Sequence, residues 1–333
     1  MEQVKVARRV NMTITKPPTL SIVVSMYNEE DVLPILFEQL SKSLEELAIT
    51  YEIICVNDGS TDRTSRLLIE AHNSDSRIKV LNFSRNFGKE VALTAGLDAS
   101  SGLAVIPIDA DLQDPPELIA TFIEKWHEGF DVVYGVRRHR GADTLMKRWS
   151  ATKFYWILNK ISGVQIPANT GDFRLMDRRV VEATCRLREK SRFMKGIFAW
   201  VGFRQTAVYY DRPERAAGQT KFNYWRLWNF ALDGITGFST APLRIAGYIG
   251  TLTAFGAIIY GSYLAMRTLI HGVDVPGYAS LMVAVLLIGG LQLIVLGVIG
   301  EYLGRLYDES RKRPLYIVES ALGLDNDLID RRM

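Results

Sequence analysis

Leu103-Ala104-Val105-Ile106-Pro107-Ile108-Asp109-Ala110-Asp111-Leu112-Gln113-Asp114-Pro115-Pro116-Glu117 is the stretch whose reading decides the fold. An unbroken apolar run, Leu103–Ile108, ends abruptly in carboxylates and two prolines. A short continuous apolar run bounded by turn residues is the pattern of a strand buried on both faces. The prolines suit the first turn of a helix, where a missing N–H costs nothing. Residues two apart in extended chain point the same way, so Asp109 and Asp111 can grip one cation, with Gln113 offering a further oxygen. Hard oxygen donors suit magnesium or manganese, which would keep positions open for a diphosphate. An isolated Asp-X-Asp is more often a solvated turn. Here it closes a buried strand, and the other strands end in the same way.

Working outward, Leu20–Ser25, Tyr51–Asn57, Ile78–Phe83 and Asp131–Val136 read as further strands. Helices are predicted between them. One carries Leu33, Leu36, Phe37, Leu40, Leu44 and Leu47, and the others run over Arg63–Asn73, Lys89–Ala99 and Pro115–Glu128. Strands recurring every ~25–30 residues with helices between them are the signature of a mostly parallel, Rossmann-like α/β sheet covered on both faces. Such sheets bind ligands beyond the carboxyl ends of their strands. At those ends stand Tyr27, Asn28, Glu29 and Glu30, then Asp58 and Gly59, then Arg85, Asn86, Gly88 and Lys89, then Asp109 through Asp114, then Arg137 through Arg140. Acids and bases meeting at one sheet edge suit a divalent cation and phosphates bound together.

Composition removes several classes. The chain has 333 residues, 48% hydrophobic and 23% charged, which excludes a disordered chain. Forty basic against 37 acidic residues leave +3, too even a balance to attract nucleic acid. Cys55 and Cys185 are far apart and support neither a disulfide framework nor a zinc site. No G-x-G-x-x-G, Walker or G-x-S-x-G pattern is present, and the four histidines match no metal or triad spacing.

The apolar excess lies near the end. Ile245–Met266 and Val275–Gly300 each lack any charge. Each exceeds the ~20 residues that cross a bilayer core, so two membrane spans are expected rather than a buried hairpin. Arg226 and Arg244 precede the first span. Arg305, Arg311, Lys312 and Arg313 follow the second, while the intervening loop has one arginine and one aspartate. That asymmetry places both termini and the head in the cytoplasm. Met1–Leu20 has no apolar core of a signal peptide. Phe222–Phe230 mixes aromatics with Arg226, as suits the headgroup layer. The expected organisation is an extension (1–19), a catalytic head (20–221), an interfacial segment (222–241), two spans (242–303) and a cytoplasmic tail (304–333). Gly297, Gly300 and Gly304 permit close helix contact, which either hints at a homo-oligomer or only packs the two spans together.

Val23–Glu30 (VVSMYNEE), Asn57–Asp62 (NDGSTD), Ser84–Glu90 (SRNFGKE), Asp109–Glu117 (DADLQDPPE) and Asp172–Met176 (DFRLM) occur in that order. Together they resemble family-2 glycosyltransferases of the GT-A fold, and most nearly the polyisoprenyl-phosphate glycosyltransferases. The resemblance runs from about Leu20 over nearly the whole chain. It implies that Asp58 recognises the nucleotide base beside Tyr27 and Glu29, with Arg85 and Asn86 in the donor site. It implies a metal on Asp109, Asp111 and Gln113. Arg215-Ala216-Ala217-Gly218-Gln219-Thr220-Lys221 resembles the mobile loop that closes on the donor diphosphate, with Arg215, Gln219 and Lys221 as donor ligands and Thr220 in place of the usual serine. Arg137, Arg148 and Thr152 fall where the family holds the lipid phosphate. Ser25 stands where many relatives have proline. The Gln-X-X-Arg-Trp motif of processive relatives is missing, which argues against a polymerase.

The implied reaction moves a sugar, best matched by glucose from UDP-glucose, to a polyisoprenyl phosphate at the bilayer surface. It inverts the anomeric centre in one displacement and uses magnesium or manganese. Asp172 is the implied base at the reaction centre, or else it orients Arg174 or the acceptor arginines. A mannose or aminoarabinose donor and a non-catalytic nucleotide-sugar-binding membrane subunit are the alternatives. The intact Asp109, Asp111, Gln113 and Lys221 oppose the second. The lack of charge within the spans opposes a lipid transporter.

Overall fold

The computed structural model describes residues 17–138, 167, 170–190, 192–211, 236–237, 239–271 and 277–324. Arg148, Thr152, the loop from Arg215 to Lys221, residues 222–235 of the expected interfacial segment and all but 17–19 of the expected extension lie outside them.

The predicted alternation is present. It runs β1 (Leu20–Met26), α1 (Leu33–Glu45), β2 (Tyr51–Asn57), α2 (Thr64–Ser74), β3 (Ile78–Phe83), α3 (Lys89–Ala99), β4 (Ala104–Asp109), α4 (Leu118–His127) and β5 (Val132–Arg137). Strand periodicity sends Leu20, Ile22, Val24 and Met26 of β1 to one apolar cluster and Val23 to the other. In β2, Ile53 and Cys55 part from Ile54 and Val56 in the same way. Both faces are therefore dry, as the continuous apolar runs require. On one face α1 lays down Leu33, Leu36, Leu40 and Leu44, all buried. Each contributes roughly 2 kcal/mol over leaving it exposed. On the other, α3 packs so closely that a Cβ on Gly96 would lie 2.2 Å from the Val23 side chain.

Three strands were not foreseen. β6 (Thr170–Asp177), β7 (Gln205–Tyr210) and β8 (Val318–Leu322) complete an eight-stranded sheet ordered β7-β5-β6-β4-β1-β2-β3-β8. Strands β1 to β4 pair in parallel, and β5 pairs in parallel with β7. β6 runs antiparallel between β4 and β5. Two further helices, α5 (Arg178–Arg186) and α6 (Met194–Val201), join α3 on its face of the sheet.

The hairpin consists of α7 (Ala241–His271) and α8 (Tyr278–Ser310). Their 31 and 33 residues reach ~45–50 Å, beyond the ~30 Å of a bilayer core. Both helices are long and apolar enough to cross a membrane, and no part of their apolar windows is buried within the chain. Residues 304–333 were expected to be a tail. Instead α8 continues to Ser310, and β8 returns to the head, pairing antiparallel with β3. Asn82 donates to Ser320 Oγ at 3.0 Å, and the Ser84 amide donates to the Ile317 carbonyl at 3.1 Å. Tyr316 stacks on Phe83 and donates to Asp98, which also receives both terminal nitrogens of Arg188.

Candidate active site

The loops after β1, β2 and β3 are laced together by hydrogen bonds. The Asn28 amide donates to Ser60 Oγ at 2.9 Å, and the Thr61 amide donates to Asn28 Oδ1 at 2.8 Å. The Glu29 amide donates to Thr64 Oγ1 at 3.0 Å. Asp58 is buried, and its two carboxylate oxygens accept from the Phe87 and Gly88 amides at 2.6 and 2.9 Å. Burial pushes the Asp58 carboxyl up, and the two amides pull it down. Gly59, at φ +66°, lets this contact form. A Cβ there would lie 2.4 Å from the Arg85 carbonyl carbon. Tyr27, Arg85 and Asn86 are exposed around this floor, and Arg85 stacks on Phe87.

The Asp109–Gln113 stretch turns at Leu112, whose φ is +56°. The turn brings the Gln113 amide back to Asp111 Oδ1 at 3.2 Å. Two carboxylates and a carboxamide are the hard donor set that a divalent ion takes when phosphate oxygens complete its shell. Among the described residues no three His, Cys, Asp or Glu side chains converge on one point.

Asp172 was expected just after a small-residue turn. It lies within β6, in the strand's first residues. An antiparallel strand presents its amino end where parallel neighbours present their carboxyl ends, so Asp172 reaches the same edge as Asp109. Lys89 joins the two. Its ammonium lies 2.6 Å from Asp109 Oδ1 and 2.9 Å from Asp172 Oδ2. Burial works to raise the Asp172 carboxyl, but Lys89 and Lys195 overcome it and hold the group down at about 2. Arg174, the other suggested partner, stacks on Phe198 and donates to the Gly171 carbonyl at 2.9 Å. Burial draws it down to about 10.

Arg137 ends β5 and meets Asp114, which the sequence placed only within the polar edge, and Tyr210, for which it proposed no role. It donates to Asp114 Oδ1 at 3.3 Å and to the Tyr210 hydroxyl at 3.1 Å. That hydroxyl in turn donates to Asp114 at 2.7 Å. Burial and nearby Asp109 push the fully buried Asp114 carboxyl up, against the pull of Arg137. A Cβ on Gly171 would lie 2.9 Å from the Arg137 guanidinium, so the expected acceptor arginine sits against the residue preceding Asp172.

Sequence reading set Lys89 among the charged groups at the sheet edge without a role of its own, and it missed Glu90. Lys89 had a local signal, because a lysine opening a helix opposes the helix dipole and needs acidic partners. Glu90 accepts from the Met194 amide at 3.0 Å. Burial and the Asp172 charge raise its carboxyl to about 7.

A separate cleft of about 1250 Å³ opens between the head and the ends of α7 and α8, lined by Trp200, Arg244, Arg305 and Arg313 among others. Arg305 pairs with Glu301 at 2.8 Å, and the Lys190 amide donates to Glu309 at 3.1 Å.

Hydrogen-bonded loops around Asp58, the Asp109–Gln113 turn and the buried Asp172 thus share one edge of the sheet. Residues 21–184 match Glycosyl transferase family 2, and residues 241–306 match the GtrB C-terminal hairpin. An uncharacterized glycosyltransferase of Synechocystis sp. is 58% identical over 306 residues, covering 92% of this chain and 96% of that one. A prophage bactoprenol glucosyl transferase homolog of Escherichia coli is 50% identical over 90% of this chain and 98% of its own. The bactoprenol glucosyl transferase of Shigella phage SfV is 49% identical with the same coverage. The chain belongs to glycosyl transferase family 2 and is a glycosyltransferase.

Proposed function

We propose that the chain transfers glucose from UDP-glucose to a polyisoprenyl phosphate of the bactoprenol type, at the cytoplasmic face of a bacterial membrane. The observation that carries the reaction is the single ammonium of Lys89 shared by Asp109 and Asp172. It brings the expected cation site and the expected reaction centre within one side chain of each other. The names of the relatives support the acceptor and the sugar. The charge asymmetry around the spans supports the orientation.

In this reading Asp58, with Tyr27 and Glu29, forms the base end of the donor site. Arg85 and Asn86 face the rest of the nucleotide. A magnesium or manganese ion on Asp109, Asp111 and Gln113 would offset charge on the departing diphosphate. An acceptor phosphate oxygen forms the new bond to the anomeric carbon as the bond to the nucleoside diphosphate breaks, so configuration inverts. Phosphate monoesters lose their second proton near pH 6 and need no strong base. A carboxyl held near 2 stays ionised and is a poor proton acceptor. Asp172 therefore aims Lys89 and shapes the field at the reacting atoms rather than carrying a proton. Arg137, stiffened by Asp114 and Tyr210, receives the acceptor phosphate, with Arg148 and Thr152 as further ligands. Arg215, Gln219 and Lys221 close on the donor. Residues 222–241 rest the head on the bilayer.

The test is incubation of the full chain in vesicles with undecaprenyl phosphate and a panel of labelled nucleotide sugars, with and without EDTA. Label should enter the lipid phase from UDP-glucose and only with divalent metal. Lipid product from another donor alone would replace glucose. No lipid product from any donor would remove the acceptor, and full turnover in EDTA would remove the metal.

A further inference from the structure

Lys89 occupies an awkward place. It is the first residue of α3, where the exposed N–H groups of a helix carry partial positive charge and disfavour a cation. It is kept there by Asp109 from β4 and Asp172 from β6, at 2.6 and 2.9 Å. Both contacts are short, charge-assisted bonds. The two carboxylates differ in what else they can hold. Asp109 sits at the open strand end with Asp111 two residues on. Asp172 is 7% exposed, and its Oδ1 is buried without a hydrogen-bond partner. One carboxylate can thus turn to another cation, while the other has an unused acceptor facing the protein interior.

We propose that Lys89 competes with the divalent cation for Asp109, and that the metal's arrival hands the ammonium over to Asp172. This rests on the reading of Asp109 as a metal ligand. A divalent ion and an ammonium on one carboxylate repel at close range, so the metal weakens the Lys89–Asp109 contact. The ammonium then keeps Asp172, whose unpartnered Oδ1 can accept a second bond. The positive charge stays at the reaction centre. Lys89 is therefore a positioning residue. It links cation binding at β4 to the setting of a carboxylate on β6, two elements joined at their far ends by the pairing of Ala104 with Asp177.

The sign of the test is unusual, because losing a residue of the site should strengthen metal binding. Mn2+ is titrated into the full chain in nanodiscs with no nucleotide present, and free Mn2+ is read by electron paramagnetic resonance. Lys89→Gln, which removes the charge, should bind Mn2+ roughly tenfold more tightly than wild type. Lys89→Arg, which keeps the charge, should stay within about twofold of wild type. The Lys89 side chain is half-exposed, so neither change opens a cavity. Equal or weaker affinity in Lys89→Gln, or no Mn2+ bound by either protein, overturns the inference. Sugar transfer is measured separately. Tighter Mn2+ binding in Lys89→Gln without any transfer by wild type would reject the proposed reaction and leave the competition standing.

Discussion

The two halves of the sheet edge are held by different forces. On the β1–β2–β3 side the loops are fixed mostly by neutral and amide–carboxylate hydrogen bonds, as in Asn28 with Ser60 and Asp58 with the Phe87 and Gly88 amides, with the surface ion pair of Arg63 and Glu30 beside them. On the β6–β5–β7 side they are fixed by ion pairs to buried carboxylates. Lys89 lies on Asp172, Arg137 on Asp114, and Arg174 is buried beside them. The difference matches the chemistry proposed for each. A nucleotide floor needs a fixed shape. A centre where a phosphate and a diphosphate exchange a sugar needs a fixed field, and oriented charges in a dry site supply it without reorganising.

If that contrast is right, removing one charge on the second side should have the greatest effect. Asp172→Asn keeps the shape and should lower kcat by ~100-fold or more while donor affinity holds, as for loss of a transition-state electrostatic contact. The folded Asp172 carboxyl lies below its ordinary range. Its stabilising charge is thus complete above about pH 4 and fades only as the pH falls toward 2. Wild-type kcat should show no acidic limb from Asp172 above pH 5. A limb there that Asp172→Asn abolishes would restore the proton-carrying role.

Arg137→Gln comes next. It leaves buried Asp114 with only Tyr210, and breaking a buried pair from one side costs ~3 kcal/mol. Denaturant melts should show that loss, and KM for the lipid phosphate should rise with donor KM unchanged. A rise in both would blur the division into halves. On the hydrogen-bonded side, Gly59→Ala forces a left-handed φ and a backbone clash, costing ~2 kcal/mol. It should raise donor KM and spare acceptor KM. Glu90 gives the smallest and most diagnostic effect. Its carboxyl is raised when folded, so the native state holds the proton more tightly than the unfolded one, and stability falls as pH rises from about 4.5 through 7. Glu90→Gln keeps an acceptor for the Met194 amide and should flatten that slope, a difference of ~1–2 kcal/mol between pH 5 and 8. Thermal melts at the two pH values would reveal it, and an unchanged slope would show that the second side is not governed by charge.

How much was legible followed the same division. The parallel strands β1 to β5 were readable because sheets dry on both faces write continuous apolar runs. The D-x-D placement was readable because Asp109 closes one of them. β6 was not, because Asp172 and Arg174 interrupt its apolar run with buried charges whose partners lie elsewhere. Searching after each strand also looks past an antiparallel strand, whose amino end does the presenting. The triad of Asp114, Arg137 and Tyr210 spans 96 residues of chain and exists only once β5 and β7 pair. β8 carries five residues with little apolar signal, and its strand character comes from the unpaired edge of β3.

That last strand has a mechanical consequence. A globular body joined to a membrane helix by one linker can swivel like a ball on a string. Here the chain leaves α8 and is stitched back into the sheet at β3, while Lys190 grips the helix end at Glu309. The end of α8 is therefore tied to the head at two points rather than hung from it by a single linker, and a twist of the helix end would be felt by β3.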